Sequence, residues 1–353
     1  PKGGTVASTT VDLPAQSLPT PTRDGYHFVG WFEDKTLTSY DFTPGGSYVP
    51  GTFLYGTPVT APSADYADKT LYAKWVKTSV YEHFHGKKVA VYGDSVSTLL
   101  GFVPSAESEM FNGGVFYGQS YVDMGINEHT QWWGQLVDTL GMQLLEINAI
   151  GGSSVGAYAY EYGLERKAMM NYTRMRLLDD AGTPDVIIVA AGINDYNDNT
   201  TGFNANADYL TNELDRVTSI CPDFAKAYAL MIRRLQDLYP TTEIVALSSF
   251  DVGAAAATET GNDCIRRTCA LYNVVNIDMR NAFTLNDGTG VNYRPHGIHP
   301  GISGFAAIAN CFLENYAPIA NPVVVPDCGH TWGFGVLTTP EMRLCVRVTE
   351  RSA

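Results

Sequence analysis

The sequence predicts an α/β domain built on a five-stranded parallel sheet, preceded by a small β-rich module. One observation is that short apolar runs alternate with stretches whose apolar residues recur at helical spacing, which is typical of a parallel sheet covered by helices on both faces. These runs are centred near Val89, Leu144, Val186, Ile244 and Val274. A second observation is the different composition before residue 78, where turn-forming residues alternate with aromatic residues.

The N-terminal segment predicts short strands. Residues 18–32 alternate Pro, Thr and Gly with aromatic side chains, and residues 70–75 form a closing apolar run. Its Gly-Tyr-x-Phe-x-Gly-Trp and Leu-Tyr-Ala-Lys-Trp sequences resemble the B-repeat (Listeria-Bacteroides repeat) of internalin-type bacterial surface proteins. The resemblance covers about residues 3–77, with the first strand truncated, and implies that Trp31 and Trp75 lie in the core of the module.

The first apolar run of the larger domain ends in Gly-Asp-Ser, with Ser95 at the strand end. A serine hydroxyl is a weak nucleophile, so it needs a position on a tight turn and a neighbouring imidazole that takes its proton. His299, in a His-Gly-Ile-His-Pro sequence about two hundred residues later, is the candidate base. An ordinary turn is the alternative interpretation, because Gly, Asp and Ser are common in turns for backbone reasons.

Two further loops favour the catalytic interpretation. Residues 144–154 run from an apolar strand into Gly151-Gly152, and residues 184–195 run from a central strand into Gly-Ile-Asn-Asp. The carboxyl ends of parallel strands lie at one edge of an open α/β sheet, where ligands bind. A glycine N–H and the Asn194 amide are both suited to donate hydrogen bonds to the oxyanion of a tetrahedral intermediate. Either glycine of the pair could fill this role.

Together the four blocks, from about residue 86 to residue 316, resemble the SGNH (GDSL-type) hydrolase family. The resemblance implies a flavodoxin-like, three-layer domain and a serine esterase mechanism without metal or organic cofactor. It implies that Ser95 is the nucleophile and contributes its own N–H to the oxyanion hole, and that His299 is the base. Gly152, favoured by its spacing from the preceding asparagine, and Asn194 would supply the other oxyanion donors.

The histidine block departs from the family pattern. His296 occupies the position at which the family has the aspartate that orients the histidine. Three explanations stay open: a Ser–His dyad in which a backbone carbonyl orients His299, an acid from elsewhere such as Asp278 or Asp287, or a weakened or inactive enzyme. The dyad is our first choice, with His296 as the residue in the orienting position. Two histidines in one loop with no third ligand nearby do not predict a metal site.

The stretch of residues 96–130 is long for a loop in a compact domain, and long loops without secondary structure of their own are usually functional. Phe116, Tyr117 and Tyr121 within it predict an aromatic, substrate-binding wall beside the nucleophile. The alternative is a hydrophobic flap that only covers the edge of the sheet.

Helices are predicted where apolar residues recur every three or four positions. They cover residues 132–140, residues 224–238 before Pro240, and residues 302–316 directly after the histidine block. Trp132 and Trp133 on the first of these helices are expected in the core, as large aromatic side chains commonly are. The last helix would anchor the loop that carries the base.

Charge and cysteine content narrow the choice of partners. The 353 residues carry 23 basic and 37 acidic side chains, a formal charge of −14. This balance disfavours nucleic acid or an anionic membrane surface, because both attract clustered Lys and Arg. No apolar run reaches the ~18 residues of a membrane span. The six cysteines form no Cys-x-x-Cys motif, and a disulfide between Cys328 and Cys345 stays open.

The predicted organisation is a module at residues 1–77, a linker at 78–85, a hydrolase domain at 86–320 and a C-terminal linker with a Cys-containing fragment at 321–353. The expected function is ester hydrolysis, with acetylated glycan as the substrate class by analogy with surface enzymes of the family. We expect a secreted or cell-surface bacterial protein, attached through regions outside this sequence. The alternatives are a surface binding or adhesion protein with an impaired hydrolase domain, and a lipase-like or thioesterase activity.

Overall fold

The computed structural model describes most of the chain up to residue 319. The described residues are 17–33, 35–37, 51–62, 70–102, 114–155, 168–197, 224–252, 255–283 and 292–319. They belong, up to Pro318, to one compact unit. The expected C-terminal fragment with Cys328 and Cys345 lies outside the described residues, as does Asp287.

The N-terminal module consists of antiparallel strands, which confirms the prediction of a β-rich segment. Strand β1 (Tyr26–Glu33) pairs with β4 (Leu71–Lys77), and β2 (Lys35–Leu37) pairs with β3 (Gly51–Phe53). The expectation that the module's two tryptophans lie in its core is wrong, because Trp31 and Trp75 are only half-buried against Phe28. Side chains alternate between the two faces of a strand, and the buried face carries Phe32 and Val76 instead.

The buried face of the module contacts helices of the larger domain. Lys74 Nζ donates a buried hydrogen bond of 2.7 Å to Thr139 Oγ1, and Lys77 Nζ donates to the carbonyl oxygen of Glu314 at 2.5 Å. Burial lowers the pKa of Lys74 to about 8. The residues expected to link the two parts, 78–85, include helix α1 (Thr78–Phe84), and its Phe84 is fully buried.

The larger domain contains the predicted parallel sheet. Its strands are β5 (Lys88–Gly93), β6 (Gln143–Ala149), β7 (Val186–Ala190), β8 (Glu243–Leu247) and β9 (Val275–Ile277). They are parallel throughout and lie in the order β6-β5-β7-β8-β9. The chain order therefore reverses direction at β5, so that the loops after β5, β6 and β7 emerge side by side at the carboxyl edge of the sheet.

The remaining helices cover the sheet. They are α2 (Gln119–Asp123), α3 (Trp132–Leu140), α4 (Tyr172–Met175), α5 (Ile193–Asn197), α6 (Phe224–Leu238), α7 (Ala255–Tyr272) and α8 (Ile302–Asn315). Helices α6 and α7 pack on the face that carries Tyr92 and Val189, and α3 packs against α8 in the third layer. The predicted helices are thus confirmed, as is the burial of Trp132 and Trp133. Of the helices described, none is long and apolar enough to cross a membrane.

Candidate active site

The Gly-Asp-Ser segment forms a tight turn at the end of β5. Asp94 Oδ1 accepts a hydrogen bond of 2.9 Å from the N–H of Val96 and so begins a 3₁₀ turn over Ser95–Ser97. Gly93 has to lack a side chain, because a Cβ there would lie 2.5 Å from Ser97 Oγ. The conformation of the turn therefore explains why Gly93 and Asp94 occur here. The same turn places Ser95 at the carboxyl edge of the sheet.

Helix α3 holds this turn in place. Gln131, at the start of the helix, donates from Nε2 to the carbonyl oxygens of Val96 at 3.3 Å and Thr98 at 3.1 Å. Trp133 Nε1 donates to the carbonyl oxygen of Ser97 at 3.0 Å. All three groups are buried, so the bonds are shielded from competing water and the turn has one well-defined position.

The structure brings the two predicted reacting residues into contact. His299 Nε2 lies 2.8 Å from Ser95 Oγ, a hydrogen-bonding distance, although the two residues are 204 positions apart in sequence. His299 lies in the loop that leads into α8, where His296 and His299 form an isolated antiparallel bridge. A hydroxyl hydrogen bonded to an imidazole is the arrangement that activates a serine nucleophile.

The backbone of His296 borders the ring of His299. The N–H of His299 donates to the carbonyl oxygen of His296 at 3.4 Å, and the His296 backbone acts to raise the pKa of the His299 ring. An effect of this sign on an imidazole comes from a carbonyl oxygen, which favours the protonated ring. Because Nε2 faces Ser95, Nδ1 is the ring nitrogen available to such an acceptor. Asp278 is engaged elsewhere, since its carboxylate binds Arg280 and caps the next turn.

Burial lowers the pKa of His299 to about 4, against the opposing effect of the His296 carbonyl. The positive charge on a neighbouring His296 ring would lower the pKa further. His299 is consequently neutral at pH 7 and able to accept a proton. The same burial makes the protonated imidazolium costly.

The predicted oxyanion donors lie on neighbouring loops. The N–H of Gly151 donates to the carbonyl oxygen of Gly114 at 2.5 Å, whereas no described residue accepts from the N–H of Gly152. Gly152 is exposed and has a φ of 73°, a conformation that favours glycine. Asn194, at the start of α5, donates from Nδ2 to the carbonyl oxygen of Ser153 at 2.7 Å. An amide has two N–H groups, so one donor of Asn194 is left for a ligand.

Arg174 lies beneath these loops, and sequence reasoning missed it. Its fully buried guanidinium donates to the carbonyl oxygen of Gly93 at 2.6 Å, to Ser153 Oγ at 2.7 Å and to Asn148 Oδ1 at 3.0 Å. One side chain therefore fixes the end of β5, the end of β6 and the loop after β6 relative to one another. The polar Asn148 within an otherwise apolar strand was the available signal, because a buried amide needs a partner.

The Arg174 charge also acts on the nucleophile turn. Burial raises the pKa of Asp94 to about 7, while the hydrogen bond from Val96 and the charge of Arg174 lower it. Burial lowers the pKa of Arg174 as well, and Asp94 counters that effect. Both groups are buried, and each favours the charged form of the other.

The three aromatic residues predicted as a substrate wall occupy different positions. Phe116 is half-buried and its ring stacks on the ring of His299, with centroids 3.4 Å apart and planes at 7°. Tyr121 is half-buried and meets His296 edge-on at 5.3 Å. Tyr117 is fully buried, and its hydroxyl donates to the carbonyl oxygen of Pro300 at 2.8 Å. The expectation that Tyr117 lines the surface of the site is therefore corrected, because packing encloses its ring.

An apolar cavity adjoins the nucleophile turn. Asp94 and Val96, on either side of Ser95, contribute to its wall, together with Ile193 at the start of α5, Leu247 at the end of β8 and Phe250 in the loop after β8. A cavity with this lining suits hydrocarbon better than a polyol. No group of His, Cys, Asp and Glu side chains in the described ranges could hold a metal ion.

Two family models match the sequence. The GDSL-like lipase/acylhydrolase family matches residues 87–314, and the Listeria-Bacteroides repeat domain matches residues 1–55. Strand β1 lies within the matched repeat and pairs with β4, which lies after it in sequence. The comparison with curated proteins gives no significant match.

Solved structures of bacterial proteins resemble the hydrolase domain. A candidate GDSL-like lipase from Bacteroides ovatus has 18% identity and a TM-score of 0.44, covering 64% of this chain and 96% of its own. A protein from Lactobacillus plantarum has 18% identity and a TM-score of 0.43, covering 66% and 97%. Phospholipase A1 from Streptomyces albidoflavus has 12% identity and a TM-score of 0.41, covering 65% and 100%. With the family model matched over most of its length, the chain belongs to the GDSL-like lipase/acylhydrolase family.

Proposed function

We propose that this protein is a serine esterase in which Ser95 and His299 form a catalytic dyad. The observation that carries the proposal is the 2.8 Å contact between Ser95 Oγ and His299 Nε2 at the carboxyl edge of the sheet. Family membership supports ester hydrolysis as the reaction class. The neutral state of His299 at pH 7, which follows from its lowered pKa, supports the role of a general base.

In the proposed mechanism, His299 takes the proton of Ser95 as the serine oxygen attacks the ester carbonyl. The developing oxyanion accepts hydrogen bonds from the N–H groups of Ser95 and Gly152 and from the amide of Asn194. His299 then returns the proton to the leaving alcohol, which leaves an acyl group on Ser95. Water, deprotonated by the same imidazole, attacks the acyl-serine, and the acid product departs as the serine is restored.

We propose that the His296 carbonyl favours the tautomer that this mechanism requires, without fixing it alone. If the Nδ1 proton is directed at that carbonyl, Nε2 has its lone pair directed at Ser95. A carbonyl oxygen carries only a partial negative charge, so it stabilises the imidazolium less than a carboxylate does. We therefore propose a working but slower site than one with the family's aspartate.

For the substrate, we propose an O-acetyl ester of carbohydrate. We also propose that the enzyme itself is a bacterial surface-associated protein. The N-terminal repeat supports this placement, since the Listeria-Bacteroides repeat occurs in bacterial surface proteins. We assign the module a role in display or spacing, because the proposed reacting residues all lie after residue 93. The substrate class is an analogy with surface members of the family.

The apolar cavity beside Ser95 favours a second candidate, a lipase-like or thioesterase activity on longer acyl groups. Asp94 and Val96, on either side of Ser95, line it although Ser95 itself does not, and an acyl chain on Ser95 would extend past them into its mainly apolar interior. The two candidates differ in the acyl group rather than in the reacting residues.

The test is hydrolysis of p-nitrophenyl esters of increasing acyl length, with acetylated xylan as a carbohydrate substrate. A serine-directed phosphonate and mass analysis locate the nucleophile. Acetyl preference, acetate release from the glycan and an adduct on Ser95 would support the first candidate. Rising kcat/KM with acyl length would favour the second. An intact, folded protein with no turnover and no adduct would contradict both and leave a binding role.

A further inference from the structure

Thr98 joins the nucleophile turn to the aromatic segment. Its Oγ1 donates to the carbonyl oxygen of Ser95 at 2.9 Å and accepts from the N–H of Phe116 at 2.9 Å and that of Tyr117 at 3.4 Å. The N–H of Leu100 donates back to the carbonyl oxygen of Tyr117 at 3.0 Å. Thr98 is fully buried, so the hydroxyl that makes all three contacts is shielded from water.

The same aromatic segment reaches the loop of the base from the other side. The Phe116 ring covers one face of the His299 ring, nearly parallel to it. The Tyr117 hydroxyl donates to the carbonyl oxygen of Pro300, and its ring packs edge-on against Phe305 of α8 at 5.1 Å. Residues 116–117, which we call the aromatic strap, therefore contact both reacting loops.

We propose that Thr98, Phe116 and Tyr117 are positioning residues that align His299 with Ser95 in place of the family's aspartate. This inference rests on the proposed dyad. The His296 carbonyl belongs to the same loop as His299, so it fixes the ring relative to that loop only. The strap is tied to the nucleophile turn through Thr98, and it therefore fixes the ring relative to Ser95.

The stacked ring has two effects of opposite sign on the charge of His299. Its π face attracts the imidazolium that forms during attack, as in other cation–π contacts. Its bulk excludes water, which disfavours the same cation. The other titratable groups that face the ring among the described residues are Ser95, His296 on its own loop and Tyr117, whose ring lies 6.3 Å away. Substitutions of Phe116 that keep or remove the apolar cover separate the two effects.

The test compares three variants of the full chain on p-nitrophenyl acetate, with active enzyme counted by phosphonate labelling of Ser95. Phe116→Leu keeps an apolar cover but loses the flat ring, and we expect kcat to fall about 10- to 100-fold with little change in KM. In this variant, kcat/KM should fall on the acid side at the same pH as in the wild type. Phe116→Ala should lose the same rate and also shift that fall to higher pH, because water reaches His299 and raises its pKa. Phe28→Leu is the matched control, since that half-buried ring packs on Trp31 at 5.6 Å in the N-terminal module and should leave kcat within about twofold.

A second pair of variants tests the junction at Thr98. Thr98→Val removes the hydroxyl and should lower kcat about tenfold or more, whereas Thr98→Ser keeps it and should restore most of that rate. Imidazole ¹⁵N chemical shifts of His299 give a readout independent of turnover. The wild-type ring should hold one tautomer, and both tautomers should exchange in Phe116→Leu.

Wild-type kcat and a single His299 tautomer in folded Phe116→Leu would overturn the role of the strap. So would a rate loss that disappears once only labelled enzyme is counted, because the variant would then simply fold poorly. An inactive wild-type protein without a Ser95 adduct is a different result: it contradicts the proposed esterase, and the tautomer comparison still decides whether the strap orients His299.

Discussion

The backbone N–H of His299 donates to the carbonyl oxygen of His296 at 3.4 Å, at the residue that stands where the family has its aspartate. The backbone of His296 also acts to raise the pKa of the His299 ring. In the proposed dyad, this main chain takes over part of the aspartate's role and gives only part of the electrostatic support of a carboxylate.

Restoring the carboxylate should make His299 a stronger base. In a serine protease the triad acid contributes about 10⁴ in kcat, which bounds the gain. With a carbonyl already in place, we expect His296→Asp to raise kcat by about tenfold or less. The added negative charge favours the imidazolium and raises the pKa of His299, so the acid limb of kcat/KM should move to higher pH. His296→Asn is the uncharged control, and lower activity in folded His296→Asp would give the His296 ring a function of its own.

The pH profile of the wild-type enzyme should extend into the acid range. Because burial lowers the pKa of His299 to about 4, the base stays neutral and kcat/KM should hold until the pH falls near that value. An unperturbed histidine would lose activity near pH 6.5. The measurement follows p-nitrophenol at its isosbestic wavelength.

Asp94 provides the control for that profile, because its pKa is raised to about 7 by burial. Asp94→Asn keeps an oxygen that accepts from Val96 but cannot ionise. If kcat/KM of this variant still falls near pH 4, the group that ionises there is His299. A limb that stays near pH 6.5 in both proteins would show that the His299 ring is more hydrated in solution.

Loss of the nucleophile should remove catalysis and leave the fold. Ser95→Ala keeps the turn, because Asp94 caps it through the N–H of Val96 rather than through Ser95. Hydrolysis should fall to the residual rate given by binding and the oxyanion donors. Turnover and the melting temperature are measured on the same preparation. Wild-type turnover in the folded variant would rule out an acyl-serine mechanism.

Asn194 should act mainly on the transition state. Asn194→Ala should lower kcat about 100-fold or more with little change in KM, the scale known for one lost oxyanion donor. Asn315→Ala is a matched control, since its amide donates to the carbonyl of Cys311 within α8. A change confined to KM would make Asn194 a substrate-binding residue instead. Loss of the Ser153 contact also predicts a small decrease in stability.

Removal of the N-terminal module should spare turnover on small soluble esters. The truncated chain has to begin at Thr78, because Phe84 of α1 is buried in the larger domain. We expect kcat/KM for p-nitrophenyl acetate within a few-fold of the full chain and a lower melting temperature, since the contacts of Lys74 and Lys77 are lost. A folded truncation without activity would place the module in the mechanism.

The sequence predicts the sheet well because each strand is marked by a local run of apolar residues. The apolar runs near Val89 and Val186 end in loops with Ser95 and Asn194, and the parallel order brings those loops to one edge. The contact of His299 with Ser95 followed from the family resemblance. The sequence does not indicate the carbonyl that we propose orients His299, because every residue has a carbonyl and only the loop conformation determines which one lies beside the ring.

The sequence did not indicate Arg174 or the proposed positioning role of the aromatic strap, for a different reason. Arg174 gains its role from three segments that are distant in sequence, and a charged side chain is ordinarily expected at the surface. Phe116 and Tyr117 were recognised as residues of the site, but composition alone does not tell whether an aromatic ring faces a substrate or packs on a catalytic group. Trp31 and Trp75 show the same limit, since aromatic residues in a small module need not be enclosed.

The attachment of the module has a mechanical consequence. Lys74 contacts α3 near its carboxyl end and Lys77 contacts α8 near its carboxyl end, while the opposite ends of these helices hold the loops of Ser95 and His299. At about 1.5 Å per residue, the two helices are roughly 13 and 21 Å long, and each connects the module to one of the two loops. A tensile load on the module would therefore be transmitted to both sides of the reacting pair.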